Sequence, residues 1–295
     1  MMTTKPLLPI ECSNGFVLDP AKARKIGDHL MDEYFSAAPF PHMVIDNFLP
    51  IEMADKLLEH FPTDTKTHDK IYKKGYGGMH KRQIRPLDCD EYVRNAFSFF
   101  NSAPMLQFLE GITNIHRLLP DPYFTGGGLH ETSTGGLLGI HADFRVNEGL
   151  QLLRRVNLLI YLNKDWQDEY NGKLELWDRE MKAKVVSASP VFNRCVVFST
   201  GDDTYHGHPN PLTTPEDITR KSIALYYYTS AEIMNATGES RHTRYVARPN
   251  DSKKTKANVK KLEKKRIKRA KKHFKNNEPH SFKQFLIALK QKLIK

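Results

Sequence analysis

The spacing of apolar residues divides the chain into a helical first part and a strand-rich second part. Four segments before residue 120 repeat apolar positions at helical intervals, so we predict helices over 21–35, 51–60, 90–100 and 104–115. A short strand and turn at 40–49 separates the first two helices. Residues 64–88 are rich in Lys, Gly and Asp with little periodicity, which predicts a loop that either borders a substrate groove or is plain exposed surface.

From residue 122 to residue 229, short apolar segments alternate with Gly, Asn, Asp and Pro, a pattern typical of strands joined by turns. The predicted strands are 123–131, 138–145, 155–162, 173–177, 184–188, 194–198, 204–208 and 221–228. Short strands at such regular spacing predict a double-stranded β-helix, or jelly-roll and cupin-like core, in a mainly β chain with flanking helices (α+β). The run Gly126-Gly127-Gly128 lacks the Lys-Ser/Thr of a phosphate loop and indicates close strand packing or a bulge.

Charge separates the end of the chain from the rest. Residues 251–295 hold 17 Lys/Arg and 3 Asp/Glu, a net +14, whereas residues 1–250 hold 28 and 31, a net −3. The overall charge of +11 therefore does not predict nucleic-acid binding by the whole protein. A contact with a polyanion such as RNA or the ribosome is expected only through the basic, helical segment 251–276.

A second helix is predicted over 281–294, where one face is apolar. That face is expected to pack on the body of the protein, on a second subunit or on a membrane surface. The residues of this face are Phe282, Phe285, Leu286, Leu289 and Leu293.

These patterns predict three regions: a helical support region over 1–119, a core over 120–232 and a basic, mostly helical extension over 233–295. The cysteines at 12, 89 and 195 are sparse and form no C-x-x-C pair, which argues against disulfides and predicts a reducing compartment, the cytoplasm. The chain contains no run of 18 or more apolar residues, so no transmembrane segment is predicted. The first residues also lack the pattern of a secretory signal.

A candidate metal site begins on the predicted strand 138–145. His141 and Asp143 are two residues apart, and in a strand such residues point the same way. With a second His about sixty residues later, they offer two imidazoles and one carboxylate to one face of Fe(II), which leaves positions open for a cosubstrate and O₂. An H-x-D triplet alone is weak evidence. Spacing does not decide between His206 and His208 as the third ligand, because strand alternation puts both on one face.

Six segments together resemble the Fe(II)/2-oxoglutarate-dependent dioxygenases of the prolyl hydroxylase-like superfamily. They are HADF, RRVNLLIYLNKDW, GKLELWD, FNRCVVFST, YHGHPNPL and TRKSIALYYYT. The resemblance covers roughly 120–230, with a weaker match in FPHMVIDNFLP upstream. IYLNKDW and TRKSIALYYY are similar to segments of oxygen-sensing prolyl hydroxylases. The joint pattern is specific, although no single segment is.

The resemblance implies roles for particular residues. His141 and Asp143 would bind iron. The family pattern is a His, then two variable positions, then often Pro, and this selects His206 as the third ligand. Arg220 would hold the distal carboxylate of 2-oxoglutarate, since a guanidinium fork can make two hydrogen bonds to a carboxylate. Ser222, on the same strand face, would add another hydrogen bond.

Two further positions follow from the resemblance. The Tyr161 hydroxyl would reach 2-oxoglutarate, or else Tyr161 is a core aromatic whose hydroxyl binds a backbone carbonyl. Glu131 stands where some relatives place an aromatic that contacts the cosubstrate, so His130 or Thr132 would replace that contact. The carboxylate of Asp143 favours hydroxylation over halogenation, because halogenating relatives have a small residue there.

The implied activity is that of a hydroxylase that uses Fe(II), 2-oxoglutarate and O₂, with ascorbate as a candidate further cofactor. Peptidyl-proline is the substrate suggested by resemblance, and a small metabolite or sugar is the alternative. An alternative of another class is a nucleic-acid- or ribosome-associated protein that acts through its basic tail. Five acidic residues in 163–178 favour either a basic substrate or a plain solvated loop.

Overall fold

The predicted helices form a layer beside the strands. The structure, a computed structural model, describes residues 5–230 and 242–276. Its helices are α1 (Pro20–Ser36), α2 (Ile51–Glu59), α3 (Glu91–Phe100), α4 (Ala103–Thr113) and α5 (Lys253–Asn276). At the start of α1, the Asp19 carboxylate accepts a hydrogen bond of 2.7 Å from the Lys22 backbone N–H. α1 and α4 touch at two glycines, and a Cβ atom on Gly111 would lie 2.9 Å from the Gly27 Cα, so larger residues would force the helices apart.

The strands of the described residues pair in an antiparallel manner. They are β1 (His42–Ile45), β2 (Lys70–Tyr72), β3 (Met79–Ile84), β4 (Leu119–Pro120), β5 (Gly128–Ala142), β6 (Val146–Asn147), β7 (Leu152–Tyr161), β8 (Leu174–Trp177), β9 (Lys184–Ala188), β10 (Cys195–Ser199), β11 (His206–His208), β12 (Arg220–Ser230) and β13 (Arg244–Tyr245). The order across the structure is β1-β10-β7-β12-β5-β11-β8-β9.

β5 joins two sheets, which confirms the predicted jelly-roll. Its first residues, 128–132, pair with β12 and β3 in a larger sheet, whereas 138–142 pair with β11 and β13 in a smaller one. Gly135 lies between the two halves with φ +74°, a conformation that glycine adopts without strain. Sequence patterning predicted two strands here, 123–131 and 138–145, because the glycines interrupt the alternation. In the structure they are one bent strand.

Alternation along β7 and β12 separates the helix layer from the interior of the barrel. Val156, Leu158 and Ile160 belong to one apolar core with the helices, as do Ile223 and Leu225 on β12. The intervening residues point inwards. Burial of one face against the helices therefore fixes which side chains of these strands face the interior of the barrel. They are Asn157, Leu159 and Tyr161 on β7 and Arg220, Ser222 and Tyr226 on β12.

The prediction of a loop over 64–88 is wrong in part. This segment contains the hairpin of β2 and β3, which extends the larger sheet beyond β5. It has no apolar alternation because polar side chains occupy both faces of β3: Arg82 pairs with Glu131 outside, and Lys81 faces the interior. The expected alternative, that the segment borders a groove, agrees with the presence of Lys70 and Tyr72 in a cavity wall.

The extension after residue 241 returns to the barrel. β13 pairs with β5, with Arg244 opposite Ala142 and Tyr245 opposite His141. α5 follows and buries Val259. Among the described helices, none combines the length and the apolar character that a membrane span needs. The predicted amphipathic helix over 281–294 lies outside the described residues.

Candidate active site

Three of the predicted residues meet at one point of the barrel. β5 and β11 place His141 directly opposite His206, and Asp143 follows one residue after β5 ends. The Asp143 Oδ1 atom lies 3.6 Å from His141 Nε2, and its Oδ2 atom lies 3.4 Å from His206 Nε2. One ligand atom from each residue lies within 4.8 Å of the others. Two imidazoles and a carboxylate at this spacing suit one Fe(II) ion.

Both histidines are oriented by the backbone. The Nδ1 atom of His141 lies 2.8 Å from the Gly139 carbonyl oxygen, and that of His206 lies 3.1 Å from the Thr204 carbonyl oxygen. If each Nδ1–H donates to its carbonyl, each Nε2 keeps a lone pair directed at Asp143. Burial, together with the neighbouring His206, lowers the pKa of His141, so its ring is neutral and ready to bind a metal.

His208 occupies a different position from His206. A bulge in the β5–β11 pairing places it opposite Leu138, so the regular alternation assumed from the sequence is broken. Its side chain lines the same cavity, and within the described residues its Nδ1 atom has no hydrogen-bond partner. The group of three ligand side chains contains His206 and not His208. The choice of His206 as an iron ligand stays a prediction, and this geometry favours it.

A buried pair on β7 holds the Asp143 carboxylate. The Asn157 side-chain amide donates a hydrogen bond of 2.7 Å to Asp143 Oδ2, and the Arg154 guanidinium lies 3.0 Å from the same oxygen. Arg154 Nε in turn donates to Asn157 Oδ1 at 2.8 Å. Burial alone would raise the pKa of Asp143, but the Arg154 charge holds it well below its usual range. Oδ2 is thus occupied, and Oδ1 stays available for a metal.

Sequence reasoning missed Arg154 and Asn157. The Arg154 guanidinium is clamped between aromatic rings, 3.3 Å from the centroid of Tyr226 and 4.9 Å from that of Phe144. Only 1% of its surface is exposed. The available signal was two arginines, Arg154 and Arg155, and one amide residue within an otherwise apolar strand. Regular alternation would turn Arg155 inwards with Asn157, and an irregularity in the pairing with β12 places Arg154 there instead.

Arg220 is a buried cation beside this group. Its Nε–H donates to the Gly172 carbonyl at 2.8 Å, and its guanidinium lies 4.9 Å from the centroid of the Tyr161 ring. In the described part of the chain, no carboxylate lies within ion-pair distance of it. Ser222 is buried two residues further along β12 and lines the same cavity. Because an unpaired buried cation is unfavourable, this wall of the cavity suits a carboxylate ligand.

Tyr161 lies behind Arg220 rather than in the cavity wall. It is fully buried and packs in a small core with residues such as Phe40 and Phe198. Within the described residues, its hydroxyl makes no hydrogen bond to a backbone carbonyl, and the Arg220 guanidinium is the polar group beside it. The alternative of a hydroxyl bound to a backbone carbonyl is therefore not seen, and a contact with 2-oxoglutarate stays a prediction.

Glu131 points away from the site, as the alternation of β5 requires. Its carboxylate lies 2.6 Å from Arg82 and accepts a hydrogen bond of 2.8 Å from the Thr219 hydroxyl. The two neighbours on β5, His130 and Thr132, line the cavity instead. Either residue is therefore placed to make the cosubstrate contact that an aromatic residue makes in some relatives, as the sequence suggested.

One cavity of about 280 Å³ connects these groups. It holds the three metal-binding candidates at one end and the Arg220–Ser222 wall beside them. Leu138, Leu159, Leu174 and Phe198 supply apolar lining. A metal ion fits the donor set, and a small dicarboxylate that spans from the metal to Arg220 fits both the space and the unpaired charge.

Residues 127–228 match the sequence model of the 2OG-Fe(II) oxygenase superfamily. No curated protein sequence matches the chain. Among solved structures, a prolyl hydroxylase from Trichoplax adhaerens, in complex with a hypoxia inducible factor peptide, is 18% identical with a TM-score of 0.49, over 70% of this chain and 91% of its own.

Two other solved structures are also similar to this chain. A Pseudomonas putida prolyl-4-hydroxylase is 17% identical with a TM-score of 0.47, over 69% of this chain and 98% of its own. HygX from Streptomyces hygroscopicus, solved with nickel and 2-oxoglutarate, is 11% identical with a TM-score of 0.43, over 64% of this chain and 83% of its own.

Proposed function

We infer that this chain, whose residues 127–228 belong to the 2OG-Fe(II) oxygenase superfamily, is an Fe(II)- and 2-oxoglutarate-dependent hydroxylase. The observation that carries this conclusion is the triad of His141, Asp143 and His206 in one cavity with the unpaired Arg220. Bound Fe(II) supplies the reaction of O₂ with 2-oxoglutarate, which yields succinate, CO₂ and a hydroxylated substrate.

The residues of the chain then have separate tasks. Arg220 and Ser222 bind the distal carboxylate of 2-oxoglutarate and so fix its orientation. Arg154 and Asn157 hold Asp143 in place through one carboxylate oxygen. The apolar and aromatic lining keeps bulk water from the reacting C–H bond.

Peptidyl-proline is the substrate we propose, with a small metabolite or sugar as the alternative. Support comes from the similarity of the segments IYLNKDW and TRKSIALYYY to oxygen-sensing prolyl hydroxylases. The fold itself does not select a substrate, because one fold serves many activities. Ascorbate belongs in the same assays as an additive. The cytoplasm is the proposed compartment, consistent with the three cysteines being free.

The test is coupled turnover of the Fe(II)-loaded chain. We expect proline-containing peptides to stimulate succinate release at least about tenfold over peptides in which alanine replaces proline, with one oxygen atom added to the peptide by mass spectrometry. Amino acids and sugars form the second arm of the screen. Stimulation by a small molecule and by no peptide would replace the proline proposal with the alternative, and no stimulation of 2-oxoglutarate turnover by any compound would count against a hydroxylase.

A second proposal concerns α5, which we expect to contact the phosphate backbone of RNA. One face of the helix is anchored by Val259. Nine of its eleven exposed positions from 253 to 269 carry cations, and none is acidic or aromatic. Such a face suits sequence-independent phosphate contacts, and it lacks the apolar side chains that membrane insertion needs. The exposed cations are Lys253, Lys254, Lys256, Lys260, Lys261, Lys264, Lys265, Lys268 and Arg269.

Fluorescence anisotropy with a labelled single-stranded RNA tests this proposal. Replacing four α5 lysines by Gln should weaken binding and reduce the slope of log K against log salt concentration by roughly 0.7 for each phosphate that is no longer neutralised. The four are Lys260, Lys261, Lys264 and Lys265. A matched control replaces four exposed lysines elsewhere, namely Lys22, Lys25, Lys73 and Lys182. Equal losses in both variants would show that net charge, and not α5, attracts the RNA.

A further inference from the structure

Lys81 and Arg220 stand on either side of Thr132 in one row across three strands. β3 places Lys81 opposite Thr132, and β12 places Arg220 opposite the same residue. Neighbours on adjacent strands point to the same face of a sheet, and both cations line the cavity that contains Asp143. Adjacent strands are about 4.8 Å apart, so the two side chains enter one small cavity from backbone positions roughly 10 Å apart.

On the outer face of the same strands, the neighbouring cations share one carboxylate. Arg82, next to Lys81, lies 2.6 Å from the Glu131 carboxylate, and Lys221, next to Arg220, lies 3.7 Å from it. On the inner face, no carboxylate of the described residues lies within ion-pair distance of Lys81. Burial and the Arg220 charge lower the pKa of Lys81 to about 8, although the Asp143 carboxylate acts in the opposite direction.

The charges of the cavity do not balance once the cosubstrate is counted. Fe(II) and Asp143 together leave one positive charge, Arg220 adds another, and the dianion 2-oxoglutarate neutralises both. Arg154, Lys81 and the exposed Lys70 then remain. Arg154 is held on Asp143 and between two aromatic rings. Lys81 lies over one ring, that of Tyr72, and has no carboxylate of the described residues within ion-pair distance, so it is the inward-facing cation available to a second ligand.

The approach to Lys81 is cationic as well. Lys70 lines the same cavity, and the amines of Lys70 and Lys81 lie 5.1 Å and 5.6 Å from the centroid of the Tyr72 ring. Among the described residues that line the cavity, the only carboxylate is Asp143. The acidic loop over 163–178 suggested a basic substrate, but the cavity wall itself carries the opposite charge.

We propose that Lys81 binds a carboxylate of the primary substrate, while Arg220 binds the cosubstrate. This rests on the proposed hydroxylase function and names the class of substrate: an anionic compound whose reacting C–H bond lies near a carboxylate. Two sources supply such a group, an acidic side chain next to proline in a peptide or the α-carboxylate of a free imino acid.

The test compares carboxylates with their amides. The full chain, loaded with Zn(II) in place of Fe(II) and saturated with 2-oxoglutarate, is titrated by calorimetry with a Glu-Pro peptide against its Gln-Pro counterpart, and with L-proline against L-prolinamide. The same pairs are assayed for hydroxylation with Fe(II). The variants are Lys81→Met, Lys81→Arg and, as a matched control, Lys74→Met, which removes an exposed amine from the same hairpin.

We expect the wild type to bind the carboxylate member of one pair at least about tenfold more tightly than the amide. Lys81→Met should lose this preference, and Lys81→Arg and Lys74→Met should keep it. The responding pair identifies the source of the carboxylate. Absence of the preference in the wild type would refute the proposal whatever the variants do, so poor folding of Lys81→Met would not protect it.

Three results would overturn the proposal: no preference in the wild type, an unchanged preference in Lys81→Met, or weaker 2-oxoglutarate binding in Lys81→Met with the preference intact. The last result would assign Lys81 to the cosubstrate. Failure of the proline hydroxylase proposal is distinguishable, because it would appear as charge-selective binding without hydroxylation in any pair. Hydroxylation without a preference for the carboxylate would support the hydroxylase proposal and refute the role proposed for Lys81.

Discussion

Replacing His206 by Ala is expected to abolish Fe(II)-dependent turnover, whereas replacing His208 by Ala is expected to leave iron bound. His206 Nε2 lies 3.4 Å from the Asp143 carboxylate, and its Nδ1 is held by the Thr204 carbonyl. Removing it leaves two ligand side chains, and the loss should exceed the roughly 10–100-fold that follows removal of a supporting hydrogen bond around a metal. His141→Ala and Asp143→Ala should behave in the same way.

Anaerobic Fe(II) titration checks this prediction, with thermal melting of the metal-free proteins as the control for folding. His208 is the matched comparison, since it is also an imidazole of β11 and lines the same cavity. Loss of iron from His208→Ala, with retention in His206→Ala, would show that the third ligand has been assigned to the wrong residue. The two variants are expected to differ because a bulge separates the two histidines, and only His206 lies opposite His141.

The sequence predicts the layout of the fold well where one face of an element is apolar. α1 to α4 agree with the periodicity because each buries a stripe of apolar side chains, and β7 and β12 agree because they pack against those helices. The hairpin of β2 and β3 was not predicted. Its strands are stabilised by backbone pairing to β5 and by ion pairs such as Arg82 with Glu131, and neither leaves an apolar period in the sequence.

Some residues of the candidate site were predicted from the sequence and others were not. His141 and Asp143 are visible in the sequence because a metal site needs such residue types two apart in a strand, whereas His206 and Arg220 were selected by the resemblance to the dioxygenases. The structure brings these four side chains to one cavity. Arg154 and Lys81 were not found, since cations in a strand usually belong to the surface and each has a cationic neighbour, Arg155 or Arg82. Only the register of β3, β5 and β7 shows that both point inwards.

Arg220→Ala is expected to weaken 2-oxoglutarate binding by about 2–5 kcal/mol, which corresponds to roughly 30-fold or more in the dissociation constant. We expect the buried Arg220 guanidinium to bind the distal carboxylate of 2-oxoglutarate. Its Nε–H already donates a hydrogen bond to the Gly172 carbonyl, which fixes its orientation. Ser222→Ala should cost only about 0.5–1.5 kcal/mol, because a neutral hydrogen bond contributes less than a charged one. Arg220→Lys should lie between the two, since an ammonium lacks the fork.

The measurement is the thermal shift that 2-oxoglutarate produces in the metal-loaded protein, together with the apparent affinity in turnover. Iron binding should persist in Arg220→Ala, because this residue is not one of the three ligand candidates. Lys221→Ala is the matched control: the next residue on β12 points outwards and lies 3.7 Å from Glu131. Unchanged 2-oxoglutarate dependence in Arg220→Ala, or an equal loss in Lys221→Ala, would remove Arg220 from the cosubstrate site and would leave its buried, unpaired charge without a ligand.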